Sequence, residues 1–280
     1  MPKQIPAIYH GALESIGIDH TWPMHRVLAS LAFTPSGRPR AILGTSTKIE
    51  KGNKIGVLSA VVYLSPSIEA VFNTCPMATD GCARACLGHS AGHLALDSNK
   101  RTRIAKTLWF RLFRDHFMAQ LDMEITAHAS KAERMGKHAA IRLNGSSDIR
   151  WERYGVPQRH PHVTFYDYTK HPARARRTRP SNYHLTYSLS EDPRSQTLAD
   201  EWLAQGGNVA VVVAGPEGTK RKAAQDAARS MLDAGMWRGY PTMDGDETDA
   251  RFWDEPGHWV VLYAKGGAWS DTTGFVQRIA

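Results

Sequence analysis

Cysteine is scarce in this chain and long apolar runs are absent. Only 3 cysteines occur among 280 residues, all in one short window as Cys75, Cys82 and Cys86. An odd, clustered set is a poor disulfide framework and a good metal or cluster site. No run of eighteen apolar residues exists, and the opening MPKQIPAIYHGALES has no long apolar core. Membrane insertion and export are therefore not expected, and the expected location is the cytoplasm. Walker A, G-x-S-x-G, H-E-x-x-H and a G-x-G-x-x-G opening a helix after a strand are also missing, which removes support from common nucleotide and hydrolase chemistries. Neither a repeat of fixed period nor a low-complexity tract divides the chain.

What is present is ordinary globular material, 42% hydrophobic and 22% charged, in a length that suits one main domain with a sizeable core. The charge balance of 35 − 27 = +8 favours acidic partners such as nucleic acid, nucleotides or phosphorylated metabolites. Much of the excess is local. Lys170, Arg174, Arg176, Arg177 and Arg179 follow one another without an intervening acid. This patch is either a phosphate-binding loop or a solvated loop bracketed by Pro172 and Pro180.

Residues 1–54 have helix-like spacing at Met24, Val27, Leu28 and Leu31, then Gly, Pro and polar breakers, and are expected to form an N-terminal extension packed on a domain of residues 55–280. There the chain becomes rhythmic. The segments 57–65, 138–145, 162–169, 183–190, 208–215 and 258–264 are short and rich in Val, Tyr, Thr or Ile, as strands are. Helical spacing over 99–135, 197–207 and 219–235 alternates with them, the first with Ile104, Leu108, Leu112, Phe117, Leu121 and Ile125 inside and Lys and Arg on other faces. Alternation of this kind predicts an α/β fold with parallel strands, either a barrel or an open sheet, whose ligands gather beyond the carboxyl ends of the strands.

The residues after each strand are therefore the candidates. After the first comes a loop with the spacing Cys-x6-Cys-x3-Cys. Three thiolates there can hold three corners of a [4Fe–4S] cluster and leave one iron open. Alternatively, Cys75, Cys82, Cys86 and His89 or His93 form a structural Cys₃His zinc site, or the cysteines are three small unliganded hydrophobes. After the second strand, Asn144, Gly145, Ser146, Ser147 and Asp148 suit either a ligand's amine, carboxylate or ribose, or an ordinary capped turn. Asp167, Tyr168, Thr169 and Lys170 follow the third strand, Ser188 and Ser190 the fourth, Gly215 and Gly218 the fifth. The acids Asp244, Asp246, Glu247 and Asp249 lack the EF-hand pattern, and salt bridges to Arg251 or to the basic loop are expected for them. The nearby aromatics Trp237, Tyr240, Phe252, Trp253 and Trp259 are expected in the core, and His160 and His162, flanking a strand start, are expected to be structural.

The cysteine loop N-T-C-P-M-A-T-D-G-C-A-R-A-C-L, the later I-R-L-N-G-S-S-D, the strand F-Y-D-Y-T-K and the closing D-G-D-E-T-D-A-R-F-W-D together resemble the bacteriophage "gene product 88" domain family over residues 55–270. In that resemblance Cys75, Cys82 and Cys86 match the family's cysteine cluster, Asp148 an acidic strand end, and Tyr168, Thr169 and Lys170 a Tyr-Thr-Lys motif. A further C-terminal cysteine group found in family members is missing here, so a second cluster is not expected. If phage-encoded, the protein would reside in the host cytoplasm. The layout is also similar to the radical S-adenosylmethionine superfamily, which implies a partial (β/α)6 TIM-like barrel with a three-cysteine [4Fe–4S] loop after its first strand. Those enzymes usually carry Cys-x3-Cys-x2-Cys, a departure from the spacing here. This resemblance implies cluster ligation by the three cysteines and S-adenosylmethionine contacts from Asn144, Gly145, Ser146, Asp148 and Ser188. It further implies catalytic roles for Tyr168 and Lys170, an external electron donor, and an anionic substrate such as nucleic acid or a nucleotide held by Arg174, Arg176, Arg177 and Arg179. The alternative function is a non-enzymatic nucleic-acid-binding phage protein with a structural zinc or iron–sulfur site.

Overall fold

The computed structural model describes residues 4–45, 50, 54–90, 92–175 and 180–279. All six expected strands form: β2 (Val57–Val62), β3 (His138–Arg142), β4 (Thr164–Thr169), β5 (Tyr183–Ser188), β6 (Val209–Ala214) and β9 (Trp259–Tyr263). Each pairs in parallel with the next, in the registers Val57↔His138, Ile141↔Phe165, Phe165↔Tyr183, Tyr187↔Val209 and Val209↔Trp259. Parallel neighbours need crossovers, and the intervening chain supplies them.

Four smaller strands complete a 10-stranded sheet. β1 (Leu43–Gly44) runs antiparallel to β2. β7 (Met236–Trp237) and β8 (Tyr240–Asp244) form a hairpin beyond β9. Their two-residue turn, Arg238 and Gly239, has positive φ at both positions (47° and 82°), the conformation that matches the twist of a tight hairpin. β10 (Gln277–Arg278) pairs with the end of β6, beyond the stretch that β5 covers.

Alternate residues of the strands sort onto two faces. Leu58, Ala60 and Val62, with Ile141, Phe165, Leu185, Val211 and Val261, share one core with the helices α1 (Met24–Ala32), α2 (Asp97–Leu112), α3 (Arg114–Arg134), α4 (Pro193–Ala204) and α5 (Arg221–Asp233). The other face carries a smaller cluster of Val57, Ala140 and Tyr166 under Phe252, from the short 3-10 turn Arg251–Trp253. The long helices thus lie on one side of the sheet. The expected partial barrel is corrected to an open, mostly parallel sheet, because the strand path ends in the short antiparallel strands β1 and β7, which pair only inward.

The single helix expected over 99–135 is two. Phe113 (φ −133°, ψ 55°) breaks it, and its own ring is buried. The break lets α2 and α3 fold against each other through Trp109, Phe110 and Phe117, whose rings meet edge-on at 5.2–5.4 Å, an arrangement favoured by the ring quadrupoles. Residues 4–45 pack on this helical side, with Val27 and Leu31 fully buried. There the α3 carboxylate Glu124 accepts the Ile42 and Leu43 amides at 2.9 and 2.8 Å, while Lys106 Nζ donates to the Ile42 carbonyl at 3.0 Å. Among the described residues no helix is long and apolar enough to cross a membrane.

Candidate functional site

Beyond β2 the chain enters the cysteine loop through Leu64 and Ser65, both fully buried. The loop is tied at its root. Thr107 on α2 accepts the Ser65 amide at 2.8 Å, and the Thr74 hydroxyl donates to the Ser65 carbonyl at 2.5 Å. Cys75 follows, its Sγ accepting the Ser67 amide at 3.4 Å and lying 3.8 Å from the Ser146 carbonyl. Thr79 then caps the short helix Asp80–Arg84 by accepting the Cys82 amide, a standard use of a threonine at a helix start. Glu191, just past β5, accepts from the Thr79 hydroxyl and the Gly81 amide, each at 2.7 Å. Gly81 has no side chain for a physical reason: a Cβ there would collide with Thr273, with Phe275 and with Glu191. The chain segment 271–276 therefore lies directly over the Cys82 turn. Cys86 comes next, and Gly88 leaves room for Pro66 and the Cys86 sulfur.

None of the three cysteines is in a disulfide, and all three thiols are pushed up in pKa by burial, Cys86 to about 11. Two of these thiols also sense others: Cys82 raises Cys75, and Cys75 and Cys82 both raise Cys86. One cation opposes burial at Cys82, the Lys170 ammonium, and Arg103 does so at Cys86. Lys170 is held at the ends of two strands. Its Nζ donates to Ser188 Oγ at 2.8 Å and to the carbonyls of Ser188 and Leu189 at 3.2 and 3.1 Å, and the Phe275 ring lies 4.9 Å away. Burial pulls its pKa down, and the neighbouring Cys82 and Asp148 work against that. Thus Cys75, Cys82, Cys86, Lys170, Asp148 and Ser188 gather at the carboxyl rim of the sheet.

The thiols share a neighbourhood without forming a nest for one ion. Among the described residues, no group of three or more His, Cys, Asp and Glu side chains could hold a metal ion. His89, a candidate zinc ligand, instead lies 3.5 Å from the buried Glu69 carboxylate. The His93 side chain lies outside what is described, as do Arg176, Arg177 and Arg179. The donor set itself, three soft thiols with a cation beside two of them, is of the kind that holds iron–sulfur clusters.

Several residues expected to contact a ligand serve the fold instead. Asn144 is buried: its amide nitrogen donates to Ile149 and Asp167, and its oxygen accepts from Ser147, Ile149 and Trp151. That satisfies the amide. Gly145 is required because a Cβ would strike Val61 and Tyr63 of the neighbouring strand, and Ser146 donates to the Leu64 carbonyl at 2.5 Å. Asp148 locks three segments together: it accepts the Thr169 hydroxyl at 2.8 Å, the Lys170 amide at 2.9 Å and Arg174 Nη1 at 3.2 Å, while its own amide donates to the Thr74 carbonyl. Arg174 does not reach out with the basic loop. It is 2% exposed and also donates to Glu152 at 3.0 Å and the Tyr183 hydroxyl at 2.8 Å, so its charge is neutralised inside the protein. Ser188 holds Lys170. Tyr168 turns to the sheet face opposite the helices, with Arg142 stacked 4.8 Å from its ring and its hydroxyl enclosed without a hydrogen bond. Burial pushes this phenol up to about 12.

The acidic cluster pairs as expected in kind but with other cations: Asp249 with Arg142 at 3.2 Å and Asp246 with Lys265 at 2.5 Å, while Arg251 takes Asp254 at 3.2 Å. His160 is structural, on Asp122 at 2.8 Å. Residues of the site that sequence reasoning missed include Glu191, Glu69 and Arg103. Arg103 is 2% exposed on α2, donates to the Leu94 and Gly88 carbonyls, and stands 3.7 Å from Glu69. Helical periodicity assigned it to solvent. Only Glu191 carried a signal, as the first charged residue after a strand.

Neither the comparison with curated proteins nor that with solved structures returned a match. The family model described as Gene product 88 matches residues 40–279, which include all ten strands of the sheet and the entire cysteine rim, and the chain belongs to that family.

Proposed function

We propose that the protein is an iron–sulfur protein in which Cys75, Cys82 and Cys86 hold a [4Fe–4S] cluster at the carboxyl rim of the sheet, and that it acts there on an anionic substrate. The observation that carries this reading is the convergence of three part-buried thiols outside any disulfide, two of which feel another's charge, with Lys170 beside Cys82 and Arg103 beside Cys86. Buried thiols with raised pKa values are poor thiolates on their own. A metal centre supplies the positive charge that lets them ionise, so loading releases protons. Lys170 and Arg103 offset the negative charge that remains.

Held by Cys75, Cys82 and Cys86, such a cluster would supply an iron able to take a small molecule bearing an amine and a carboxylate, such as S-adenosylmethionine. This chain's own residues do the rest. Asp148 fixes Lys170 and the cysteine loop relative to each other through the Lys170 amide and the Thr74 carbonyl. Thr273 and Phe275 cover the start of the Cys82 turn at Gly81. The test is purification without oxygen. A brown protein that absorbs near 400 nm, loses iron in Cys82→Ala and, when reduced by an external donor, is assayed for S-adenosylmethionine cleavage supports the reading. A colourless protein containing stoichiometric zinc overturns it.

A further inference from the structure

We propose that a cavity beside the cysteine loop, lined by Arg150, Arg153 and His171, is the binding site for a phosphate monoester group. The cavity measures 220 Å³ and also touches Asn73, Thr74 and Asp148. Three observations carry the assignment. First, no carboxylate pairs with Arg150 or Arg153 among the described residues, although every other carboxylate nearby is engaged: Asp148 with Arg174 at 3.2 Å and Glu152 with Arg174 at 3.0 Å. The buried Arg174 thus offsets one of these two acids from behind, and with Arg150 and Arg153 the three arginines outnumber the two carboxylates by one. Second, Nδ1 of His171 is buried and has no hydrogen-bond partner, a condition that costs free energy unless a ligand or water satisfies it. Third, although Phe72, Pro76, Ile149 and Tyr154 make part of the wall apolar, the planar guanidinium donors in it suit tetrahedral oxyanions. The volume is below the usual range for whole small-molecule ligands, about 300–1,000 Å³, so the cavity accommodates an anionic group and not an entire nucleotide.

Thr74 and Asp148 place this cavity next to Cys75 and to the lock that holds Lys170. A substrate anchored here by its phosphate would extend toward the thiol rim. The inference rests on the proposed function only for what that substrate undergoes; the binding itself is independent of it.

The experiment is calorimetric titration of the full-length protein with inorganic phosphate, adenosine 5′-monophosphate and adenosine, with iron content measured on each sample. Phosphate and the monophosphate should bind and adenosine should not. Arg150→Gln and Arg153→Gln should each weaken phosphate binding by about tenfold, as expected for loss of one charge-assisted hydrogen bond. His171→Gln should weaken it less, with thermal stability and iron content unchanged in all three. Binding of phosphate without the monophosphate would identify a free oxyanion as the ligand of the same site. Equal affinity for adenosine and its monophosphate, or wild-type phosphate binding in the folded double variant Arg150→Gln/Arg153→Gln, would overturn the proposal. Because iron is followed separately, loss of phosphate binding and loss of the cluster are distinguishable.

Discussion

Asp167 makes stability depend on pH in an unusual direction, and Asp167→Asn isolates the effect. The carboxyl is fully buried, and burial raises its pKa to about 7 although the Tyr183 hydroxyl donates to it at 2.5 Å and the Asn144 amide at 2.6 Å. The folded protein therefore holds a proton between about pH 4 and 7 that the unfolded chain has lost, so stability falls as pH rises through that window and levels off above it. Taking 3.8 and about 7 as the two values, the contribution is about 2 kcal/mol unfavourable at pH 5 and about 4 kcal/mol at pH 8.5. Urea unfolding of wild type and Asp167→Asn at pH 5 and pH 8.5 should show the wild type losing about 2–3 kcal/mol more than the variant across that interval. Other titrating groups cancel in the comparison. The asparagine nitrogen takes the place of one carboxylate oxygen, facing either the Asn144 backbone amide or the Tyr183 hydroxyl, and costs a hydrogen bond, about 1 kcal/mol, equally at both pH values. Parallel pH profiles for the two proteins would show that Asp167 ionises normally and would refute the burial argument.

Lys106 gives the opposite slope: burial lowers it to about 8, so the unfolded chain binds the extra proton and stability should rise by about 2 kcal/mol from pH 8 to 10, a gain that Lys106→Met removes in the same assay. Arg174→Ala should destabilise by about 3–5 kcal/mol, because it leaves Asp148 and Glu152 without their partner, while a phosphate-binding arginine on the surface would cost almost nothing; chemical denaturation separates the two. Gly145→Ala should cost about 1–3 kcal/mol through overlap with Val61 and Tyr63, read as a lowered melting temperature.

The parallel sheet was legible because its strands advertise themselves: runs such as Val209–Ala214 are apolar on both faces, as strands flanked on both sides are. β8 was not. Its sequence YPTMD contains Pro241, lies half-buried near the sheet edge and looks like a turn leading into an acidic cluster. The continuity of the 99–135 pattern concealed the break at Phe113, since an apolar residue at a kink keeps the spacing intact. The convergence of the three cysteines at one rim followed from strand–helix alternation alone. The roles of Asn144, Gly145 and Arg174 did not, because a polar residue satisfied internally and one awaiting a ligand look alike until their partners are known. The closure of the winding was equally hidden. Strand order along the chain is the same for a barrel and for this open sheet, and only the antiparallel edge pairing of β1 and of β7 separates them.

Iron bound per chain, counted after purification and reconstitution without oxygen and compared with the three single variants Cys75→Ala, Cys82→Ala and Cys86→Ala, tests the account most directly. About four irons in the wild type, with Mössbauer parameters of a cubane cluster and a collapse of that content in each variant, is the predicted result. Iron that stays at background in the wild type, or that is retained in full when any one of the three sulfurs is removed, would contradict it.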